Sequence, residues 1–131
     1  MYGRKTPKSE LDNRRRALQS LMSAEELDAV IVIQNADLFY FTGTIQSGCL
    51  YIPAEGEAVY MVRRDAGRAD LESPLEEIHS FSSMRDVPDI LSGYSFPEPK
   101  RIGMELDVLP VSFYNRYRKA FPTSQFSDVT P

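Results

Sequence analysis

Metal or nucleophilic chemistry needs acids, bases and nucleophiles converging on one point, and this chain is thin in them. His79 is its one histidine, and Glu77 two residues earlier shares its strand face. A Glu-x-His pair falls short of the ligand set that holds a catalytic ion, so His79 reads as a surface or half-buried strand residue. Nucleophilic catalysis needs a Ser or Cys beside an oriented base. With a single histidine and no Gly-x-Ser-x-Gly turn, that arrangement is not visible. Gly43-Thr44-Ile45-Gln46-Ser47-Gly48 has glycines at its ends but no following Gly-Lys-Ser/Thr, so it reads as a tight loop rather than a phosphate cradle. The carboxylate pairs Glu76-Glu77 and Asp86-Asp89 are of a kind common on surfaces. On its own residues the chain does not read as an enzyme.

The elements that position these residues start from Leu27-Asp28-Ala29-Val30-Ile31-Val32-Ile33. The branched run Val30 to Ile33 is expected to be a strand buried on both faces, in a sheet covered by helices. Before it, Ser9 and the acids Glu10 and Asp12 mark a helix start, with Leu11, Leu18, Leu21 and Met22 on one face. After it, Asn35 or Asp37 caps a short helix through Phe41, which Gly43 stops. Consecutive Phe39, Tyr40 and Phe41 cannot all face one way, so at least one belongs to the core.

Gly48–Ile52 and Ala58–Val62 read as strands of an antiparallel hairpin around the turn 53–57. A helix over 65–71, a strand over 77–81 and a short helix over 85–91, with Pro88 in its first turn, come next. A strand over 101–105 is followed by a helix opened by Pro110, with Phe113, Tyr114, Tyr117, Ala120 and Phe121 on its face, and a last strand over 124–129. Strands alternating with helices predict an α/β sandwich, and the hairpin makes its sheet mixed.

The 131 residues fit one domain, and 42% hydrophobic with 26% charged residues excludes wholesale disorder. No apolar run approaches the ~20 residues that cross a bilayer, so no membrane partner is expected. Residues 1–9 read as a loose basic tail without the apolar segment of a secretory signal. Net charge is −4, but residues 1–16 hold six bases and two acids, leaving nine bases and 17 acids in the remainder. Such an acidic body repels phosphate backbones, so nucleic acid is not an expected partner. The basic cluster reads as a solvated tail and helix start. Cys49 is the single cysteine; it reads as a buried, inert thiol in a reducing, cytoplasmic compartment.

Leu27-Asp28-Ala29 with its apolar strand, then Asn35, then Tyr40-Phe41-Thr42-Gly43, resembles the N-terminal domain of the creatinase and Xaa-Pro peptidase (aminopeptidase P, prolidase) family. Arg101-Ile102-Gly103-Met104-Glu105, followed by Leu109-Pro110 and Tyr114, is similar to that family's Ile-Gly-x-Glu strand and following helix. Val62-Arg63-Arg64-Asp65 sits where relatives carry an arginine-containing strand end. The likeness spans residues 10–129.

What the resemblance implies is a domain rather than a catalyst: a three-layer α/β sandwich with a mixed, about six-stranded sheet and a ribonuclease H-like motif, over residues 10–131. Its expected partners are a C-terminal pita-bread catalytic domain, absent from this chain, and a second copy in a homo-oligomer. Short peptides are the expected substrate of the parent. No cofactor is expected in this chain; two divalent ions, Mn, Co or Zn, belong to the catalytic domain. The domain would help form the dimer and wall the entrance to the active site, with Tyr40, Thr44, Gln46, Arg63 and Arg64 as substrate-access residues. The alternative is a free-standing small-molecule or protein-binding module on the same fold.

Two departures from the family's pattern stand out. Relatives carry Gly where this chain has Glu26, so the first helix is expected to exit differently. Creatine-hydrolysing members place an aromatic and an arginine after the Gly corresponding to Gly43, where Thr44-Ile45-Gln46-Ser47 offers neither. That points to a peptidase-type parent.

Overall fold

The computed structural model describes residues 7–44, 48–63, 73, 75, 77–105 and 111–128. Helix α1 (Lys8–Ala24) starts earlier than Ser9 would set it. Pro7 precedes the first turn, and its carbonyl accepts the Glu10 and Leu11 amides at 3.0 and 3.2 Å. Leu11 and Met22 are buried, whereas Leu21 is 65% exposed and leaves the expected face. At 3.6 residues per turn Leu21 lies about 80° round the helix from Leu11, and Arg15 takes the inward place instead.

Arg15 is only 7% exposed, which corrects the reading of the basic cluster as solvated. Its Nη1 donates to Asp12 at 2.8 Å and to Glu57 at 3.0 Å, while Lys8 Nζ reaches the same carboxylates at 2.8 and 3.1 Å. The N-terminal half of α1 is thereby tied to the turn at residues 54–58.

The exit from α1 also corrects the expectation. Glu26 occupies the left-handed region at φ 58°, the conformation glycine adopts most readily. The Leu27 amide bonds the Met22 carbonyl at 2.8 Å and the Glu26 amide bonds Ser23 at 3.3 Å, the paired bonds of a Schellman end. Leu27 and Met22 then pack in the same buried cluster.

Six strands form one sheet in the order β4-β3-β2-β1-β5-β6. They are β1 (Ala29–Val32), β2 (Gly48–Pro53), β3 (Val59–Arg63), β4 (Ile78–Phe81), β5 (Arg101–Met104) and β6 (Gln125–Asp128). β2 runs antiparallel to β1 and β3, while the β1–β5, β3–β4 and β5–β6 pairs are parallel. Asp28 anchors the central parallel pair: its Oδ2 accepts the Lys100 and Arg101 amides at 2.8 and 3.0 Å, and its own amide donates to the Arg101 carbonyl at 2.9 Å. Leu-Asp-Ala thus serves as helix end, strand clamp and fully buried strand start.

Alternation sends the sheet's side chains into two cores. Val30, Val32, Leu50, Ile52, Tyr60 and Val62 pack with Leu11 and Met22 of α1 and Leu38 of α2 (Asn35–Thr42). Ala29, Ile31, Cys49, Tyr51, Val59 and Met61 pack on the other face with Val87 and Leu91 of α3 (Asp86–Ser92) and Tyr117 of α4 (Val111–Ala120). This is the expected α/β sandwich, helices on both faces of a mixed sheet. Phe113 departs from the predicted apolar face of α4 and is exposed. The helix expected over 65–71, and Pro110, lie outside the described residues.

Candidate functional site

The sheet fixes where the expected site residues stand. α2 follows β1 closely and ends at Gly43, whose φ of 80° is the left-handed conformation glycine tolerates. The buried Thr42 hydroxyl donates to the Leu38 carbonyl at 2.6 Å and accepts the Thr44 amide at 3.2 Å. Ser73 donates its hydroxyl to the Thr42 carbonyl and accepts the Leu75 amide at 3.2 Å. Thr44 is accordingly 2% exposed.

Tyr40 is 49% exposed. Arg14 of α1 lies 4.4 Å over its ring and donates Nη1 to its carbonyl at 2.7 Å. Of the three consecutive aromatics, Phe41 packs against the core beneath α1 and α2; Phe39 and Tyr40 are exposed. Gln46 and Arg64 lie outside the described residues.

Arg63 stands elsewhere. It ends β3 with its side chain exposed and has the strand parity of Val59 and Met61, which face the α3/α4 layer. Tyr40 and Thr44 belong to the α2 end, and among the described residues neither lines the two cavities at Arg63.

Two neighbouring cavities open at the carboxyl ends of β3 and β4, sharing Arg63, Met84 and Arg116. The smaller, about 220 Å³, has an apolar floor that includes Ile33, Phe81, Phe113 and Tyr117. The larger, about 560 Å³, is rimmed by Arg63, Arg85, Arg116 and Lys119, with Ser82, Ser83 and Asp89. Arg116 lies 5.3 Å over the Phe113 ring. Burial pushes the Tyr117 hydroxyl well above its ordinary range and neighbouring Cys49 adds to this, while Arg63 and Arg116 pull it back. Burial also pushes the Cys49 thiol up to about 12, the inert state its strand position implied.

Sequence reasoning missed Arg85, Arg116 and Lys119. A signal was available in part: Phe113, Arg116 and Lys119 recur every third residue and form a stripe along one side of α4.

His79 and Glu77 do not meet directly. The Tyr94 hydroxyl donates to Glu77 Oε2 at 2.7 Å and accepts from His79 Nε2, leaving the histidine 4.0 Å from the carboxylate. Burial, then Glu77, raises the Tyr94 hydroxyl above its ordinary range. Among the described residues no three His, Cys, Asp or Glu side chains are placed to hold a metal ion. No helix among them is long and apolar enough to cross a membrane.

Comparison with known proteins places the sequence. Residues 14–131 match the family model of the Creatinase/Prolidase N-terminal domain. The fold superposes on a proline dipeptidase from Streptococcus pneumoniae with a TM-score of 0.76 at 20% identity, covering 90% of this chain and 92% of that one. It superposes on the N-terminal domain of the cytoplasmic peptidase PepQ from Mycobacterium tuberculosis at 0.75 and 20%, covering 90% and 93%. The Xaa-Pro dipeptidase from Bacillus anthracis gives 0.77 and 17%, with 92% of this chain but 34% of that one covered. This chain therefore spans about a third of the length of that relative. Comparison with curated proteins finds no match.

Proposed function

Since this chain belongs to the creatinase/prolidase N-terminal domain family, we propose that it is the non-catalytic domain of an Xaa-Pro-type dimetal peptidase of the cytoplasm. Its work there is assembly of the dimer and control of which substrates enter. Relatives that extend well beyond it, at 34% and 32% coverage, include an Xaa-Pro dipeptidase and a prolidase from Pyrococcus horikoshii. They support a catalytic domain as the partner.

The described residues do not fit a dimetal centre. Their one histidine is engaged by Tyr94, and no further carboxylate or thiol joins it and Glu77 in a metal-ligating group. The family likeness assigns the two divalent ions, Mn, Co or Zn, to the catalytic domain.

The observation that carries the access role is the small cavity whose apolar floor lies beside Arg63 and Arg116. An apolar floor suits a proline ring or aliphatic side chain. A guanidinium at its edge suits a peptide carboxylate, bound through parallel N–H bonds. Because such a wall binds ground state and transition state alike, it acts on substrate choice rather than on the chemical step. Tyr40, Thr44, Gln46 and Arg64 remain assigned to substrate access on the family likeness alone.

The test is Arg63→Gln in the chain joined to its catalytic domain. KM for an Xaa-Pro dipeptide rises about tenfold with kcat unchanged, the signature of lost uniform binding. Unchanged KM removes Arg63 from the access wall. The second reading, a free-standing binding module, is favoured by the larger cavity, about 560 Å³ in volume and rimmed by Arg63, Arg85, Arg116 and Lys119. Thermal-shift measurements with dipeptides, amino acids and guanidino compounds separate it from the first.

A further inference from the structure

We propose that the larger cavity is a binding site for a small, multiply charged oxyanion. The juxtaposition that carries this is Arg63 from the end of β3, Arg85 from the turn before α3, and Arg116 and Lys119 from α4, all lining one cavity of about 560 Å³. That volume is typical of small-ligand pockets, which run about 300–1,000 Å³.

Charge is concentrated there against the trend of the chain, whose net charge is −4. Among the described residues none of these cations has an ion-pair partner. Among the described residues Asp89 is the one carboxylate in the lining. The nearby Asp86 attracts Arg85 without forming a close ion pair, and its Oδ2 accepts the Ser82 and Ser83 amides at 3.1 Å each and the Ser82 hydroxyl at 3.3 Å.

Like charges held together by the fold repel one another, and a bound anion relieves that repulsion. One negative charge would leave most of it in place, whereas two or more match the site. Guanidinium groups suit the task because each grips two oxygens at once, and Phe113 already holds Arg116 from one side. The position meets one part of a general rule, by which open α/β sheets receive ligands beyond the carboxyl ends of their strands at a topological switch point. β3 and β4 are a parallel pair. This site does not depend on the access-wall reading, since it calls for no peptide and no second domain.

The experiment titrates the chain with pyrophosphate and, separately, with citrate, following heat of binding and thermal shift, with acetate as the monovalent control. Arg63→Gln, Arg116→Gln and Arg118→Gln are compared; Arg118 lies on the same helix but lines a different cavity. Expected is saturable binding of pyrophosphate, citrate or both, which identifies a phosphate-type or a polycarboxylate ligand. Affinity should fall about tenfold in Arg63→Gln and in Arg116→Gln, and hold in Arg118→Gln. Circular dichroism checks that each variant is folded. Absence of binding by both multivalent anions, acetate binding as tight as theirs, or equal losses in all three variants would each overturn the proposal.

Discussion

Replacing Glu26 by glycine should stabilise this chain. Glu26 sits at φ 58° just beyond α1, where an L-residue with a β-carbon bears roughly 1–2 kcal/mol of strain. Glycine removes that strain but has more freedom to lose on folding, a cost of about 0.5–1 kcal/mol. Taking the middle of each range, the balance favours Glu26→Gly by about 0.75 kcal/mol. Removing a carboxylate beside the negative end of the helix dipole adds a few tenths in the same direction. The Schellman bonds are made by backbone amides, so the substitution keeps them. For 131 residues, an unfolding entropy of about 2.1 cal/mol/K per residue converts this to a rise in Tm of about 2–4 °C. Thermal unfolding followed by circular dichroism reads the shift, and urea titration should show a higher midpoint with an unchanged slope. An unchanged or lowered Tm would refute the claim that Glu26 is held in strain.

Other perturbations have equally definite outcomes. Gly48→Ala would put a β-carbon 2.1 Å from the Met61 carbonyl oxygen across the β2–β3 pair; a loss of about 2 kcal/mol or more is expected in urea unfolding. On the acid side, hydrogen bonding to Lys8, opposed by burial and joined by Arg15, holds the Asp12 carboxyl below its ordinary 3.8. Its contribution is complete above 3.8 and is lost as pH falls through the lower folded value, so Asp12→Asn should flatten the acid limb of Tm against pH. On the alkaline side, burial pushes Cys49 from 9.0 to about 12; burial, with Asp28, likewise pushes Tyr51 from 10.0 to about 12. Their neutral forms favour folding below pH 9 and lose that advantage as pH rises toward 12. Cys49 should meanwhile react with a thiol reagent at pH 8 far more slowly in the native chain than in urea.

Much of the fold was legible because it was written locally. The apolar run Val30–Val32 declared a doubly covered strand, and the turn 53–57 a hairpin. Gly43 ends α2 in the left-handed conformation its position implied. Arg15 was illegible because a charged side chain reads as exposed until its partners are known, and one of these, Glu57, comes from a turn 42 residues away. Leu21 and Phe113 misled for a related reason: a spacing that permits burial does not supply something to be buried against. Glu26 shows that paired backbone bonds can hold a disfavoured residue in the conformation glycine would take. The candidate site was legible only at Arg63. Its companions come from the turn before α3 and from α4, so no sequence window contains them, and the acidic total charge concealed a cationic corner.

The central claim is that this chain shapes access to chemistry performed elsewhere. Its most direct test is hydrolysis of an Xaa-Pro dipeptide by the folded chain with Mn²⁺, Co²⁺ or Zn²⁺, each against a blank containing metal and substrate alone. The account predicts release of proline no faster than the blank for every ion. Turnover above the blank that disappears when the chain is unfolded would contradict it.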